Sequence, residues 1–432
     1  MKKDTNDPTE ATEVESTAGK LQYLQPGQAN WRALAVDESL KLEGDALKEE
    51  ENRVSESRRR LKENLHGSLQ MPNLLSLAGS GTSLGPEMQA PSMWDLWDYA
   101  IYQNPGTKRE TGYTPTEAAC NIFATVGFDP EKQDENIEAL LSQCDAFLQF
   151  KEDKAVQKFV DACKKIVLEK CSIFLRDPKT GEWQDEKLDA HRTFLRRLSK
   201  RRVRDPRLKL FTTNYDLCFE RSASLQDLII LDGFSFFQPR QFSPSYFDYD
   251  IVRRTPSQGD IGDYLPGAFK LLKLHGSVSW ERTQRDEVTE TLNPASAKAC
   301  LIYPAKGKYQ QSFLQPHLEL ISQYLNALRQ PNTCLLIAGF GFNDDHLSEP
   351  ILAAIKTNPQ LRVIISDWKC EEQIRQSPKG ASRYWKEFAE LAKNGHDIWF
   401  INASFADFSN LLPDLSAMSP AEQLEKVIKR MK

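Results

Sequence analysis

The chain has 432 residues, of which 40% are hydrophobic and 27% charged, and its formal net charge is -5. These values fit an ordinary soluble protein of one large decorated domain or two to three domains. They exclude a chain that binds nucleic acid over its whole surface, though not a local basic patch, and no run of about 18 apolar residues is present to span a membrane.

Residues 1–35 are polar, with few large apolar groups, and read as a disordered tail. The first twenty lack the apolar core of a signal peptide, so the expected location is the cytoplasm. Residues 36–70 are dense in charge, as in "LKEEENRVSESRRRLKENL". Leu40, Leu47, Val54 and Leu61 recur every seven residues there, which is half of a coiled-coil seam. A helix that packs one stripe on its own body is one reading; an arm gripping a neighbouring subunit is the other. The eight cysteines, Cys120, Cys144, Cys163, Cys171, Cys218, Cys300, Cys334 and Cys370, include no C-x-x-C pair. They read as reduced thiols packed as small hydrophobes, and no metal is expected.

From residue 71 to 432 the pattern is that of one α/β domain. "NLLSLAGSGTSLG" is an apolar strand entering a glycine loop, and "SMWDLWDYAIYQ" reads as helix. Residues 115–200 show three- and four-residue apolar spacing almost throughout and form a helical insertion. From Leu208 onward short apolar strands alternate with helices: "LKLFTT", "LIILDGF", "LLKLHGS", "CLIYP", "TCLLIAGFGF", "RVIISD" and "DIWFINAS". Several lack polar alternation, as strands buried on both faces do. The expected fold is a Rossmann-like, doubly wound parallel sheet.

Ligands in such sheets bind at the carboxyl ends of strands. Four strand ends carry polar chemistry. Gly79, Gly81 and Gly85 could bring backbone N–H groups to a diphosphate, with Thr82 and Ser83 adding hydroxyls; a turn that merely permits tight packing is the competing reading. "TTNYD", Thr212 to Asp216, offers more polar groups than the one residue a helix cap needs. His275 and Gly276 end an apolar strand; a satisfied structural histidine is one reading, and an imidazole that faces a crevice and exchanges a proton near neutral pH is the other. Gly339, Phe340 and Gly341 precede Asn343, Asp344, Asp345 and His346, whose Asn-Asp-Asp run reads mainly as a cap for the next helix.

Together and in this order, "GSGTS", "TTNYD", "LHG" and "AGFGF" resemble the sirtuin-like superfamily over about residues 73–405. The resemblance implies NAD as the nucleotide. Gly79, Ser80, Gly81, Thr82 and Ser83 would hold its diphosphate, Thr212 and Asp216 would shape the nicotinamide end, and Gly276 would also belong to the nucleotide site. Gly339, Phe340 and Gly341 would lie near the adenosine, Asn214 would contact the ribose and place a water, and His275 would be the general base. Two departures speak against a protein deacylase: the segment after the histidine strand has only Cys300 where sirtuin deacylases carry a zinc ribbon, and "APSMWDLW" replaces a characteristic polar segment, which leaves open whether Asp95 takes over its role.

With "LHGS", "YPAKGKY" (Tyr303 to Tyr309) and "GFGFNDDHL", the chain is similar to bacterial sirtuin-like NADases of anti-phage defence. That similarity implies an NAD glycohydrolase, a homo-oligomer and a HerA-class ATPase as partner, with no direct nucleic-acid binding. A deacylase or ADP-ribosyl transferase on the same fold, or a non-catalytic NAD or ADP-ribose sensor, are the alternatives.

Overall fold

Two short strands, Gln22–Leu24 (β1) and Arg32–Ala33 (β2), precede the long helix Gly44–Leu69 (α1) in the computed structural model. It describes residues 20–85, 88–102, 115–132, 135–177, 179–201, 205–253, 263–301, 315–375 and 381–415. Strand Asn73–Ala78 (β3) is followed by helices Met93–Ile101 (α2), Glu117–Val126 (α3), Ile137–Phe150 (α4), Lys154–Ile173 (α5) and Asp189–Ser199 (α6). Next come Lys209–Thr212 (β4), Cys218–Ser224 (α7), Ile229–Leu231 (β5), Val252–Arg253 (β6), Asp263–Tyr264 (β7), Ala268–Lys273 (β8), Gly276–Arg282 (β9), Val288–Glu290 (β10) and Ala299–Leu301 (β11). The last third contains His317–Leu328 (α8), Thr333–Ala338 (β12), Asp345–Thr357 (α9), Leu361–Asp367 (β13), Cys370–Arg375 (α10), Tyr384–Lys393 (α11), Ile398–Asn402 (β14) and Phe405–Leu411 (α12).

Among the described residues, nine strands form the main sheet in the order β2-β1-β14-β13-β12-β3-β4-β8-β5. From β14 to β5 every neighbouring pair is parallel, as the continuous apolar runs predict. Alternate side chains face opposite layers. Leu75, Leu77, Phe211, Leu335, Ile337, Val363 and Ile365 point to one, against α8, α9 and α11. Leu74, Leu210, Leu271, Leu336, Ile364 and Ile401 point to the other, against α1, α6 and α12. Full burial of such a side chain is worth roughly 1.5–3 kcal/mol relative to exposure, against which the chain's lost entropy is set. "CLIYP" departs from the expectation: its described part is β11, in a separate antiparallel sheet ordered β10-β9-β11.

The amino-terminal segment also departs from it. Residues 1–19 and the "YPAKGKY" segment lie outside the described residues, but residues 22–33, read as tail, add two antiparallel strands to the sheet edge. Tyr23, Leu24 and Leu34 of this segment are buried in the core. Tyr23 is fully buried and its ring stacks on Trp399 at 6.3 Å. A single such residue is invisible to a composition argument. Helix α1 packs one stripe on the body through Val54, Leu61, Leu65 and Leu69. Its other side carries local ion pairs such as Arg59–Glu63 and Arg60–Glu56, and Leu40 lies before the helix and is exposed. The stripe keeps Val54 and Leu61 of the seven-residue series, continues at helical spacing to Leu65 and Leu69, and is packed on the body.

The helical insertion has a core of its own. Trp97, Phe123, Leu140, Leu141, Val160 and Val167 pack together, with Trp97 stacked on Phe123 at 5.9 Å. Its members come from α2 to α5. Helix α6, assigned to the insertion by its periodicity, instead packs Phe194, Leu195 and Leu198 against the main sheet. The insertion core also takes in Tyr215, Val278 and Leu301, so it sits on the carboxyl edge of β4 and on the small sheet.

If β1 is an integral strand, Tyr23→Ala should lower stability by about 3 kcal/mol, read from the urea midpoint. A variant of unchanged midpoint would show β1 to be a dispensable appendage.

Candidate active site

Strand β3 lies between β12 and β4, and the sheet grows from it in both directions. That is the topological switch point, where the loops beyond the strands diverge and leave a crevice. The loops after β3, β4, β8 and β12, which carry the four polar segments, all lie on this edge.

Two of them interlock through their backbones. Gly81 N–H donates to the Gly339 carbonyl at 2.8 Å, and Gly79 N–H donates to Ala338 at 3.0 Å. A Cβ on Gly79 would sit 2.6 Å from the Gly339 oxygen, and one on Gly81 2.6 Å from the Gly339 Cα. Gly339 has φ +57°, and its own Cβ would meet the Gly81 carbonyl carbon at 2.5 Å. Side chains are therefore excluded from all three positions. Thr82 N–H and Ser83 N–H close turns onto Gly79 and Ser80. The amides of Gly79, Gly81, Thr82 and Ser83 thus donate inside the protein. A row of free N–H groups for a diphosphate, as the sequence suggests, is not what this loop presents; its glycines serve the packing of the two loops.

The hydroxyls of that loop hold Asn214. Thr82 Oγ1 donates to the Gly79 carbonyl at 2.8 Å, and Ser83 Oγ donates to Asp216 Oδ2 at 2.9 Å. With their protons so directed, both oxygens accept from Asn214 Nδ2, at 3.1 and 3.2 Å. This network fixes which end of the amide is which. Asn214 Oδ1, buried and without a hydrogen-bond partner among the described residues, is the end left for another molecule. Thr212 Oγ1 accepts from Asn214 N–H at 3.1 Å. Asp216 Oδ1 accepts from Cys218 N–H at 3.0 Å, at the start of α7. Asp216 therefore braces the loop and begins the helix.

His275 follows β8 and is 3% exposed. Its ring stacks on His346 at 5.5 Å, and the Tyr215 ring lies 6.5 Å away. Burial, helped by the His346 and His317 imidazoles, pushes its pKa well below the ordinary histidine value. The imidazole is neutral at pH 7, the form that can accept a proton. Its Nε2 has no partner among the described residues. Gly276 begins β9 at φ +88°, where a Cβ would lie 2.1 Å from the Cys300 carbonyl oxygen; glycine is required there by the small sheet. Phe340 is buried and packs edge-on against Phe342, while Gly341 is exposed.

Several residues do what their sequence context did not announce. Asp344 and Asp345 read as caps, but α9 has no side-chain cap. Asp344 instead faces Glu138 of the insertion, a like charge that, after burial, helps push Glu138 up to about 8. Burial and Asp345 push Asp344 up to about 7. Asp95 is taken up in a capping box with Ser92 at the start of α2. Lys273, inside an apolar strand, is 3% exposed. It donates to Glu220 at 2.8 Å and to the Asp216 carbonyl, tying the Asn214 loop to α7. A charged residue in "LLKLHGS" was the available signal. A cavity of about 480 Å³ lies beside this cluster, lined by Leu168, Arg176, Trp183, Leu217 and Val278 among others, and not by Asn214 or His275. Among the described residues no group of His, Cys, Asp and Glu has the proximity to hold a metal ion.

Removing one partner of a buried pair strands the other. Lys273→Met should cost roughly 3–5 kcal/mol in urea unfolding, and adding Glu220→Leu should recover most of it; a double variant as unstable as the single would contradict the pairing. Burial also depresses His191 and His346 to about 4 and His317 to about 3. For a group with a lowered folded pKa, stability is complete above the unfolded value of about 6.5 and falls as the unfolded chain takes up protons below it. Unfolding free energy should therefore decline from about pH 6.5 towards pH 4, and His191→Phe should flatten that slope.

The family model of the SIR2-like domain matches residues 209–389. No curated protein matches the chain. Among solved structures, a Sir2 with a deacetylated p53 peptide and 3′-O-acetyl ADP-ribose is 10% identical, with 82% of this chain and 96% of that chain covered and a TM-score of 0.36. From β4 into α11, the stretch that holds Asn214, His275 and Gly339, the chain thus matches the SIR2-like family, whose members use NAD as substrate.

Proposed function

We propose that the protein is an NAD glycohydrolase that converts NAD to nicotinamide and ADP-ribose. One observation carries the reading. Asn214 Oδ1 and His275 Nε2, both buried and both unpartnered among the described residues, stand at the ends of the adjacent strands β4 and β8. An acceptor that orients water beside a neutral base is what hydrolysis of a glycosidic bond requires.

Nicotinamide leaves the ribose as a neutral base while positive charge builds on the sugar, as in glycoside cleavage. The bond between ribose C1′ and the pyridinium nitrogen breaks, and its electron pair returns to the ring. Water forms the new bond to C1′. Its proton passes to His275 Nε2, and Asn214 Oδ1 holds the water or the neighbouring ribose hydroxyl. Gly79 to Ser83 and Gly339 to Gly341 form the wall against which the rest of the dinucleotide would lie. Thr212, Asp216 and Gly276 support the nicotinamide end.

The similarity to defence NADases extends the proposal to anti-phage action by NAD depletion in the cytoplasm, as a homo-oligomer working with a HerA-class ATPase. The absence of paired cysteines after β9 favours hydrolysis over protein deacylation.

Purified protein, alone and with the product of its genomic neighbour, should release nicotinamide from NAD. Asn214→Ala and His275→Ala should each reduce that release by at least a hundredfold, with unfolding midpoints near that of the parent. Turnover surviving in both variants would sink the assignment. Consumption of an acyl-lysine peptide, labelling of a protein, or saturable NAD binding without nicotinamide release would each replace it with the corresponding alternative.

A further inference from the structure

Glu138 has no part in the chemistry described so far, yet it is buried where a carboxyl group is expensive to place. Its position is set by the insertion. Asn136 caps α4 by accepting from Glu138 N–H at 2.8 Å and Ala139 N–H at 3.1 Å, so Glu138 lies in the first turn and points at the carboxyl edge of the sheet. There Tyr215 Oη donates to Glu138 Oε1 at 3.0 Å. Tyr215 follows Asn214 directly. Its carbonyl accepts from Val278 N–H at 3.0 Å, and its ring lies beside His275. One residue therefore joins the insertion, the strand after the histidine and the asparagine loop. The groups facing Glu138 are Tyr215 from the loop after β4, Asp344 from the loop before α9, and Cys171 from α5.

We propose that Glu138, supplied by the helical insertion, is a positioning residue of this site. It holds the Tyr215 phenol, and with it the ring that walls His275, so the site is in working order only while the insertion is docked. An insertion that served as a plain lid could dock through Trp97, Val278 and Leu301 alone. The acid at the seam couples its seating to the two residues of the proposed chemistry. The diphosphate wall is built from other loops, so loss of Glu138 acts on turnover and leaves nucleotide affinity unchanged.

The rate part of the test rests on the NAD-hydrolase reading; the spectroscopic part does not. In the full-length chain, Glu138→Ala and Tyr215→Phe should each lower kcat by about tenfold, the scale of one buried hydrogen bond, with KM for NAD unchanged. The double variant should be no slower than either single one, since both remove the same contact. Glu138→Gln, which keeps an acceptor, should restore kcat. Histidine-selective NMR should show the His275 titration moving up towards an ordinary histidine in Glu138→Ala and Tyr215→Phe, and remaining depressed in Glu138→Gln. Multiplying losses in the double variant, or a His275 titration unmoved by Glu138→Ala and Tyr215→Phe, would overturn the proposal; should Glu138→Ala fail to fold, Tyr215→Phe gives both readouts. If the parent protein leaves NAD intact, the hydrolase reading falls while the His275 titration still decides the role of Glu138.

Discussion

Two loops from opposite sides of the switch point share one volume because Gly79, Gly81 and Gly339 have no side chains. The rest of the site hangs on that contact. It brings the Thr82 and Ser83 hydroxyls under Asn214 at hydrogen-bonding distance. Those hydroxyls direct their own protons elsewhere and so dictate the orientation of the amide. A strand-end asparagine on a mobile loop would choose between its two faces. Here the choice is made by close-packed backbone, which has few ways to rearrange. The same contact explains why the loop amides are engaged with the protein: the glycines serve rigidity first.

Burial then determines the electrical character of the site. His275 stands near two further imidazoles and is kept neutral by burial first and by those neighbours second. A few residues away Lys273 retains a carboxylate partner and a backbone carbonyl. The contrast is one of pairing. The lysine is held by partners that offset its desolvation, whereas the histidine has no anionic partner among the described residues and so gives up its charge. The same burial that keeps His275 neutral also makes it a weaker base than a histidine in water, whereas an amide acceptor already held in place needs no reorganisation to meet its partner.

Sequence patterns carry the part of this that repeats. Parallel strands were legible as unbroken apolar runs, and the candidate site as polar residues crowding strand ends, most clearly in "TTNYD". Features resting on single contacts between distant segments were not. Tyr23 docks β1 through one stacked ring, in a stretch whose average composition is that of a tail. Helix α6 has the same periodicity as its insertion neighbours, and only the partner of its apolar face assigns it to the sheet. Asp344 and Asp345 have the composition of a helix cap, but no side-chain cap forms, and the charge of Asp344 acts on an acid more than two hundred positions earlier in the chain. Local propensity cannot report a partner that folding supplies.

The insertion is where these threads meet. A helical subdomain that merely covered the crevice would need an apolar underside and nothing more. This one carries the apolar underside, through contacts with Val278 and Leu301, and also a buried acid aimed at the residue after Asn214. An apolar seam tolerates sliding, because one hydrophobic contact replaces another at little cost. A hydrogen bond of defined length and direction does not tolerate it. Placing such a bond in a largely apolar seam favours one seating of the insertion over near-equivalent ones. The selected seating is the one that puts the Tyr215 ring against His275.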